Sequence, residues 1–117
     1  PEDYAKIARV LYNRIEQSMP LQLDSTVSYI SKRKGDVWTT AEERANPSEY
    51  NTYQHQGLPP GPIGSPGAAS IRAALNPAVG PWLYFFAKKD GSVVYNESFA
   101  QHNADCQAEY GAGSCGG

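Results

Sequence analysis

Apolar residues near the start of the chain recur at helical spacing: Tyr4, Ile7, Ala8, Leu11 and Ile15, with Val10 widening the stripe. Lys6, Arg9, Asn13 and Glu16 fall on the other side, and Pro20 cannot continue a helix. The pattern therefore predicts an amphipathic helix over 2–18 whose apolar face belongs to a core. Glu2 and Asp3 put acids in its first turn, where the positive end of the helix favours them. The period then changes. Leu21-Gln22-Leu23-Asp24 alternates as an extended segment does, and Asp24 or Ser25 can cap a short helix carrying Val27 and Ile30. On the extended part Gln22 and Asp24 share a side, which sets an amide and a carboxylate where they can address a ligand. A carboxylate serving simply as a helix cap accounts for Asp24 equally well.

Residues 31–46 are the most polar part of the chain. Lys32-Arg33-Lys34-Gly35 reads as a solvated turn, and Thr40 with Glu43 makes the Thr-x-x-Glu pattern of a capping box. Asn46-Pro47-Ser48 marks a turn. Later, Ala68 to Asn76 predicts a short helix with Ile71 and Leu75 one turn apart, ended by Asn76-Pro77. Trp82 to Ala87 is the clearest strand. Lys88-Lys89-Asp90-Gly91-Ser92 is a hairpin turn, Val93-Val94-Tyr95 the returning strand, and Phe99 to Asp105 a closing helix. Helices and one hairpin without a regular βαβ rhythm give an α+β class.

Between these halves lies Tyr50 to Gly67, with four prolines and four glycines. Each proline fixes φ and removes a donor, so this stretch is neither a helix interior nor a central strand. It reads as a stiff, sharply shaped loop whose carbonyls have few local N–H partners. Preceded by Tyr50, Asn51, Thr52 and Tyr53, it suits a groove for something rich in hydroxyls, such as a sugar chain. A plain structural turn between two halves of a domain explains the composition too. Pro59-Pro60-Gly61-Pro62 also has the form of a ligand for a proline-reading domain, although interleaved glycine weakens the polyproline helix.

Composition narrows the partners. The 117 residues suffice for one domain with its own core. A net charge of −2 argues against nucleic acid, which selects a basic stripe. No apolar run approaches the roughly 20 residues of a membrane span, and no signal peptide is visible. The first residue is Pro1 rather than methionine, so the chain reads as a piece of a longer protein. Cys106 and Cys115 both lie near the end. Paired, they would close a loop worth ~2.7 kcal/mol in an oxidising compartment, and two free thiols are the alternative. His102 and Cys106 share helical spacing, but no further cysteine pair or second ligand histidine completes a zinc set, so no metal site is expected.

Several strings, in order along the chain, resemble one family. They are Ala8-Arg9-Val10-Leu11-Tyr12-Asn13-Arg14-Ile15, Met19-Pro20-Leu21-Gln22-Leu23-Asp24-Ser25-Thr26-Val27, Tyr50-Asn51-Thr52-Tyr53 and Gly57-Leu58-Pro59-Pro60-Gly61-Pro62-Ile63. Ser65-Pro66-Gly67, Ala74-Leu75-Asn76-Pro77-Ala78, Leu83-Tyr84-Phe85 and His102-Asn103 follow. Together they are similar to the catalytic domain of the endolytic murein transglycosylases, also called YceG-like. The resemblance implies a part of an enzyme that cuts peptidoglycan glycan strands internally, between N-acetylmuramic acid and N-acetylglucosamine, leaving a 1,6-anhydromuramoyl end without using water. One carboxylic acid protonates the glycosidic oxygen and then takes the proton from the sugar's own C6 hydroxyl. In this family that acid is a glutamate in a segment preceding the position of Pro1, so no catalytic residue is expected in this chain, and the isolated chain is expected to be inactive.

The resemblance further implies 1–105 as part of the catalytic domain; residues 106–117 lie outside it and read from their composition as a flexible glycine-rich tail. It places the enzyme on the outer face of the bacterial cytoplasmic membrane through one N-terminal anchor outside this chain, near peptidoglycan synthases. Carried over position by position, the groove lining is Gln22, Asp24, Thr26, Tyr50, Asn51, Thr52, Tyr53, Pro59, Pro60 and Ile63. Each has a plainer reading: Tyr50 and Tyr53 as packing residues, Asn51 as a loop brace. His102 is expected on the helix surface or at a cap. Two positions depart from the family: Val93 stands where a strand histidine is usual, and Ser65 where asparagine is common. An older family label, aminodeoxychorismate lyase, would need pyridoxal phosphate on a lysine. Lys6, Lys32, Lys34, Lys88 and Lys89 sit in polar or turn settings without a phosphate loop, so no cofactor is expected. A non-catalytic module that binds cell-wall glycan or protein is the second reading.

Overall fold

Seven elements follow the order read from the hydrophobic pattern: α1 (Glu2–Glu16), α2 (Asp24–Ser31), α3 (Ala41–Arg44), α4 (Ala68–Leu75), β1 (Tyr84–Ala87), β2 (Val93–Asn96) and α5 (Phe99–Tyr110). The computed structural model describes residues 2–31 and 40–111. Five helices and a two-stranded antiparallel sheet among them make the class α+β. The chain divides into two compact units, one of residues 1–13 with 67–117 and one of residues 14–66. Among the described residues no helix is long and apolar enough to cross a membrane. The basic run Lys32 to Gly35, Cys115 and the glycine-rich end lie outside the described residues, so the proposed Cys106–Cys115 pairing does too.

In the first unit, α1 is sunk into its surroundings at Val10, which is 0% exposed. The stripe drawn from the sequence is therefore centred a little off the true buried line: Tyr4, at its edge, is 46% exposed. The side expected to face water is also not free. Asn13 Nδ2 donates to the carbonyls of Gly80 (3.0 Å) and Trp82 (2.8 Å), and Arg9 Nε donates to that of Ala78. The Ala78 N–H donates back to Ala5 O at 3.0 Å, and Tyr12 Oη donates to Ala74 O at 2.7 Å. Residues 74–82 form few regular backbone bonds of their own, and polar side chains from α1 satisfy their carbonyls instead.

The hairpin has the register Tyr84↔Asn96, Phe85↔Tyr95, Phe86↔Val94 and Ala87↔Val93. Its turn works as the Asp-Gly signal predicts. Gly91 takes φ 91°, which a side chain would resist, and Asp90 Oδ1 accepts from Ser92 N (2.9 Å) and Ser92 Oγ (2.6 Å). Those Ser92 bonds, the hydroxyl first, lower the pKa of the Asp90 carboxyl. Phe86 and Cys106 form the buried centre where α5 closes over the sheet, with Val94 and Tyr110 packed against them. His102 sits inside this aromatic group, stacked on Tyr84 at 5.2 Å and edge-on to Phe86 at 5.6 Å, rather than on the helix surface. The helix continues to Tyr110, beyond the boundary at 105. Ser98 caps its start, and near its end Tyr110 Oη donates to Ala87 O while Glu109 Oε2 accepts from Lys89 N. The sequence pattern weakened after Asp105 because sheet contacts, not helix propensity, hold the last turns.

In the second unit, α1 ends where Ser18 enters the left-handed region at φ 56°, and Arg14 O accepts from Gln17 N and Met19 N. Asp24 is the first residue of α2 and stands in its first turn rather than at the cap. α2 packs against α3, whose capping box is complete: Glu43 N donates to Thr40 Oγ1 and Thr40 N to Glu43 Oε1. The expected Phe86→Ala effect follows from its burial. It should lower stability by about 3–5 kcal/mol, whereas Phe99→Ala, at a 46% exposed site, should cost less than half as much. Urea unfolding followed by circular dichroism distinguishes the two.

Candidate functional site

The candidate residues Gln22, Asp24 and Thr26 come from the turn into α2, and Tyr50 to Tyr53 from the loop after α3. All belong to the second unit. What brings the two segments together is a set of hydroxyls. Thr26 Oγ1 donates to Leu23 O at 2.8 Å, Thr52 Oγ1 lies 3.4 Å from the same carbonyl, and the two hydroxyl oxygens are 2.9 Å apart. Leu23 N donates to Thr52 Oγ1 at 2.8 Å, Thr52 N to Thr26 Oγ1 at 3.3 Å, and Gln22 N to Thr52 O at 3.2 Å. Both threonines are buried, as are Leu21 and Val27. Their hydroxyls are used by the protein itself, so these two positions hold the site's frame and do not face a ligand.

Asn51 has the same character. It is 0% exposed, its Nδ2 donates to the carbonyls of Arg44 (3.0 Å) and Asn46 (2.7 Å), and its Oδ1 accepts from Tyr53 N (3.0 Å). The plain reading of Asn51 as a brace for the loop describes it. Gln54 Nε2 also donates to Arg44 O, and His55 Nε2 donates to Pro47 O. Arg14, absent from the sequence candidates, is buried and its Nη1 donates to Pro20 O (2.8 Å), Leu21 O (3.3 Å) and Gln22 Oε1 (3.4 Å). Its signal in the sequence is its place four residues after Val10, on the buried line of α1. Gln22 itself adopts φ 51°, a left-handed conformation that costs a non-glycine residue about 1 kcal/mol. Arg14 and Thr52 hold it there.

The remaining polar pair is more accessible. Tyr53 Oη donates to Asp24 Oδ1 at 2.6 Å, and both residues are half-buried. The Arg44 guanidinium lies 5.7 Å from the centre of the Tyr53 ring. Tyr50 packs against Tyr29 with ring centres 5.3 Å apart, and a Cβ placed on Gly61 would come within 3.2 Å of the Tyr50 hydroxyl. The proline-rich loop thus passes close over Tyr50, and a side chain at position 61 would require the Tyr50 hydroxyl to give by a few tenths of an ångström. Pro59 and Ile63 are half-buried, Pro60 is exposed, and Leu58, just before Pro59, is 74% exposed. The structure therefore brings together Gln22, Asp24, Tyr50 and Tyr53 as partly open groups, supported by the buried Thr26, Asn51 and Thr52. Chemically the open set offers a carboxylate, an amide and two phenols, which can accept from and donate to hydroxyl groups. Among the described residues no cluster of three or more His, Cys, Asp or Glu gathers that could hold a metal ion.

Burial, then the bond to Asp24 and that carboxylate's charge, all favour the neutral Tyr53 phenol and push its pKa well above the ordinary tyrosine range. Below about pH 10 folded and unfolded chains both keep this proton, so its stabilising effect is complete. Above that pH the unfolded chain loses the proton first, and stability falls as pH rises. Tyr53→Phe should therefore flatten the decline of stability above pH 10, measured by urea unfolding from pH 8 to 11, while costing about 1–2 kcal/mol at neutral pH. Asn51→Ala should cost about 2–4 kcal/mol in the same measurement, because buried carbonyls lose their donor.

The family model for the YceG-like family matches residues 1–108. The endolytic murein transglycosylase of Bacillus subtilis (strain 168) is 46% identical over 102 residues, which is 86% of this chain and 28% of that protein. The protein of the same name from Streptococcus pneumoniae serotype 2 (strain D39 / NCTC 7466) is 36% identical over 107 residues, 87% of this chain and 19% of that protein. The crystal structure of a YceG-like protein from Listeria monocytogenes superposes with a TM-score of 0.82 at 42% identity, over 86% of this chain and 33% of that one. The chain spans less than a third of the length of the curated relatives it matches. With most of its length covered by the family model and by relatives of this identity, the chain belongs to the YceG-like family.

Proposed function

We propose that this chain is the glycan-holding part of a lytic transglycosylase domain that cuts peptidoglycan strands internally, between N-acetylmuramic acid and N-acetylglucosamine. The observation that carries this reading is the Asp24–Tyr53 pair, 2.6 Å apart and partly open, fixed by a buried frame in a chain whose relatives are named endolytic murein transglycosylases. A carboxylate that already accepts a phenol proton is suited to receive a sugar hydroxyl and orient the ring. The proton for the glycosidic oxygen comes, in this proposal, from a glutamate preceding the present residues. The sugar's C6 hydroxyl then attacks the anomeric carbon and the same carboxylate takes its proton, closing the 1,6-anhydro ring as the glycosidic bond breaks. The protein acts on the outer face of the cytoplasmic membrane, held by an anchor outside this chain and working beside peptidoglycan synthases.

A second reading is a module that binds cell-wall glycan without cleaving it. It is favoured by the character of the described site, whose groups hold hydroxyls and do not include a partner for acid catalysis. The parent protein, carrying the upstream segment, should release anhydromuramoyl-ended fragments from purified glycan strands, and the 117-residue chain should release none. Replacing the upstream glutamate by glutamine should abolish product. Asp24→Asn should lower kcat/KM by about tenfold or more. Product from the isolated chain, or an active parent lacking that glutamate, would remove the proposed division of labour.

A further inference from the structure

The first unit contains a cleft of about 330 Å³ that shares no residue with the Asp24–Tyr53 cluster. Its volume is at the small end for ligand pockets, enough for one ring-sized group. Trp82 and Tyr95 form its aromatic part, with ring centres 5.3 Å apart. Asn96, Glu97 and Gln101 supply its polar side. Both aromatic rings are fixed. A Cβ on Gly80 would lie 2.4–2.6 Å from the six-membered ring of Trp82, so the indole rests directly on the Gly80 backbone. Tyr95 Oη is held by Asp3 Oδ1 at 2.7 Å.

The polar side is fixed too. Asp105 accepts from Asn96 Nδ2 at 3.2 Å and from Gln101 Nε2 at 2.7 Å, which turns the carbonyl oxygens of both amides away from Asp105. With the exposed Glu97 carboxylate, these residues make a wall rich in acceptors. Such a wall favours ligands that donate hydrogen bonds and disfavours anions. A cationic ligand is disfavoured by Lys6, whose ammonium lies 5.9 Å from the Trp82 ring and 5.5 Å from that of Tyr95. A neutral ring that donates from its edge and presents C–H groups on its face meets both conditions, because polarised C–H groups are attracted to the negative faces of aromatic rings.

We propose that this cleft is a sugar subsite that stacks one neutral hexosamine ring on Trp82 and Tyr95, with Glu97 and the two amide oxygens accepting from its hydroxyl and acetamido groups. This rests on the reading of the chain as glycan-holding and gives the first unit a sugar contact of its own.

The test is an amide- and indole-resolved NMR titration of the 117-residue chain with a β-1,4-linked N-acetylglucosamine tetrasaccharide, with maltotetraose and tetralysine as comparisons. The tetrasaccharide should shift the Trp82 indole and the Glu97 and Gln101 signals, and do so more strongly than maltotetraose. Trp82→Ala should weaken the Kd fitted at the Glu97 and Gln101 signals by at least about tenfold. Gly80→Ala, which keeps the indole but pushes it off its seat, should weaken it comparably, and the exposed Glu97→Gln severalfold. Unchanged binding in all three variants would overturn the proposal, as would a stronger response to tetralysine. Shifts confined to the surroundings of Asp24 and Tyr53 would overturn it while leaving the proposed function standing. A complete lack of response would overturn it as well, and the glycan-cleavage assay on the parent would then decide the proposed function separately.

Discussion

Two threonine hydroxyls 2.9 Å apart, shut away from water, tie together the two segments from which the candidate site is built. Buried hydroxyls are costly unless they are hydrogen-bonded, and here two hydroxyls, two backbone N–H groups and the Leu23 carbonyl close on one another. That closure forces residues 22–24 and 51–53 into one register. The Asp24 carboxylate and the Tyr53 phenol meet as a consequence, because neither segment alone has a regular ladder to set its position. Arg14 performs a similar service with charge. Its buried guanidinium donates to the carbonyls of Pro20 and Leu21 and to the Gln22 amide oxygen, and this holds the chain in the left-handed bend at Gln22.

What could be read from the residues beforehand was what short-range chemistry determines. The first helix, the Thr40–Glu43 capping box, the Asp90-Gly91 turn and the strand pair all depend on neighbours within a few positions; the helix read over 2–18 forms over 2–16, and the strand read from Trp82 begins at Tyr84. The extent of α5 was not legible, since Cys106 and Tyr110 are held by the sheet and not by their own sequence neighbours. Nor was the fate of the polar side of α1: Arg9 and Asn13 look like solvent-facing residues until the carbonyls of 78–82 are placed beside them.

For the candidate site, the sequence named a set of residues and could not separate their roles. Gln22, Asp24, Thr26, Asn51, Thr52 and Tyr53 are all polar, and nothing in their identity says which hydroxyl turns inward. Burial separates them, placing Thr26, Asn51 and Thr52 in the frame and leaving the others half open. The aromatic cleft of the other unit was hidden for a related reason. Trp82 and Tyr95 read as strand residues, and only the glycine seat and the pair of amides held by Asp105 make them a surface with a defined chemistry.

The side chain of Asn51 has one further consequence. By gripping the carbonyls of Arg44 and Asn46 while accepting from Tyr53, it closes the backbone between them into a ring of fixed circumference. A ring of that kind has no slack. Adding or deleting a single residue between positions 46 and 51 would open it, so variation in chain length has no room in this segment, however polar and loop-like its residues look.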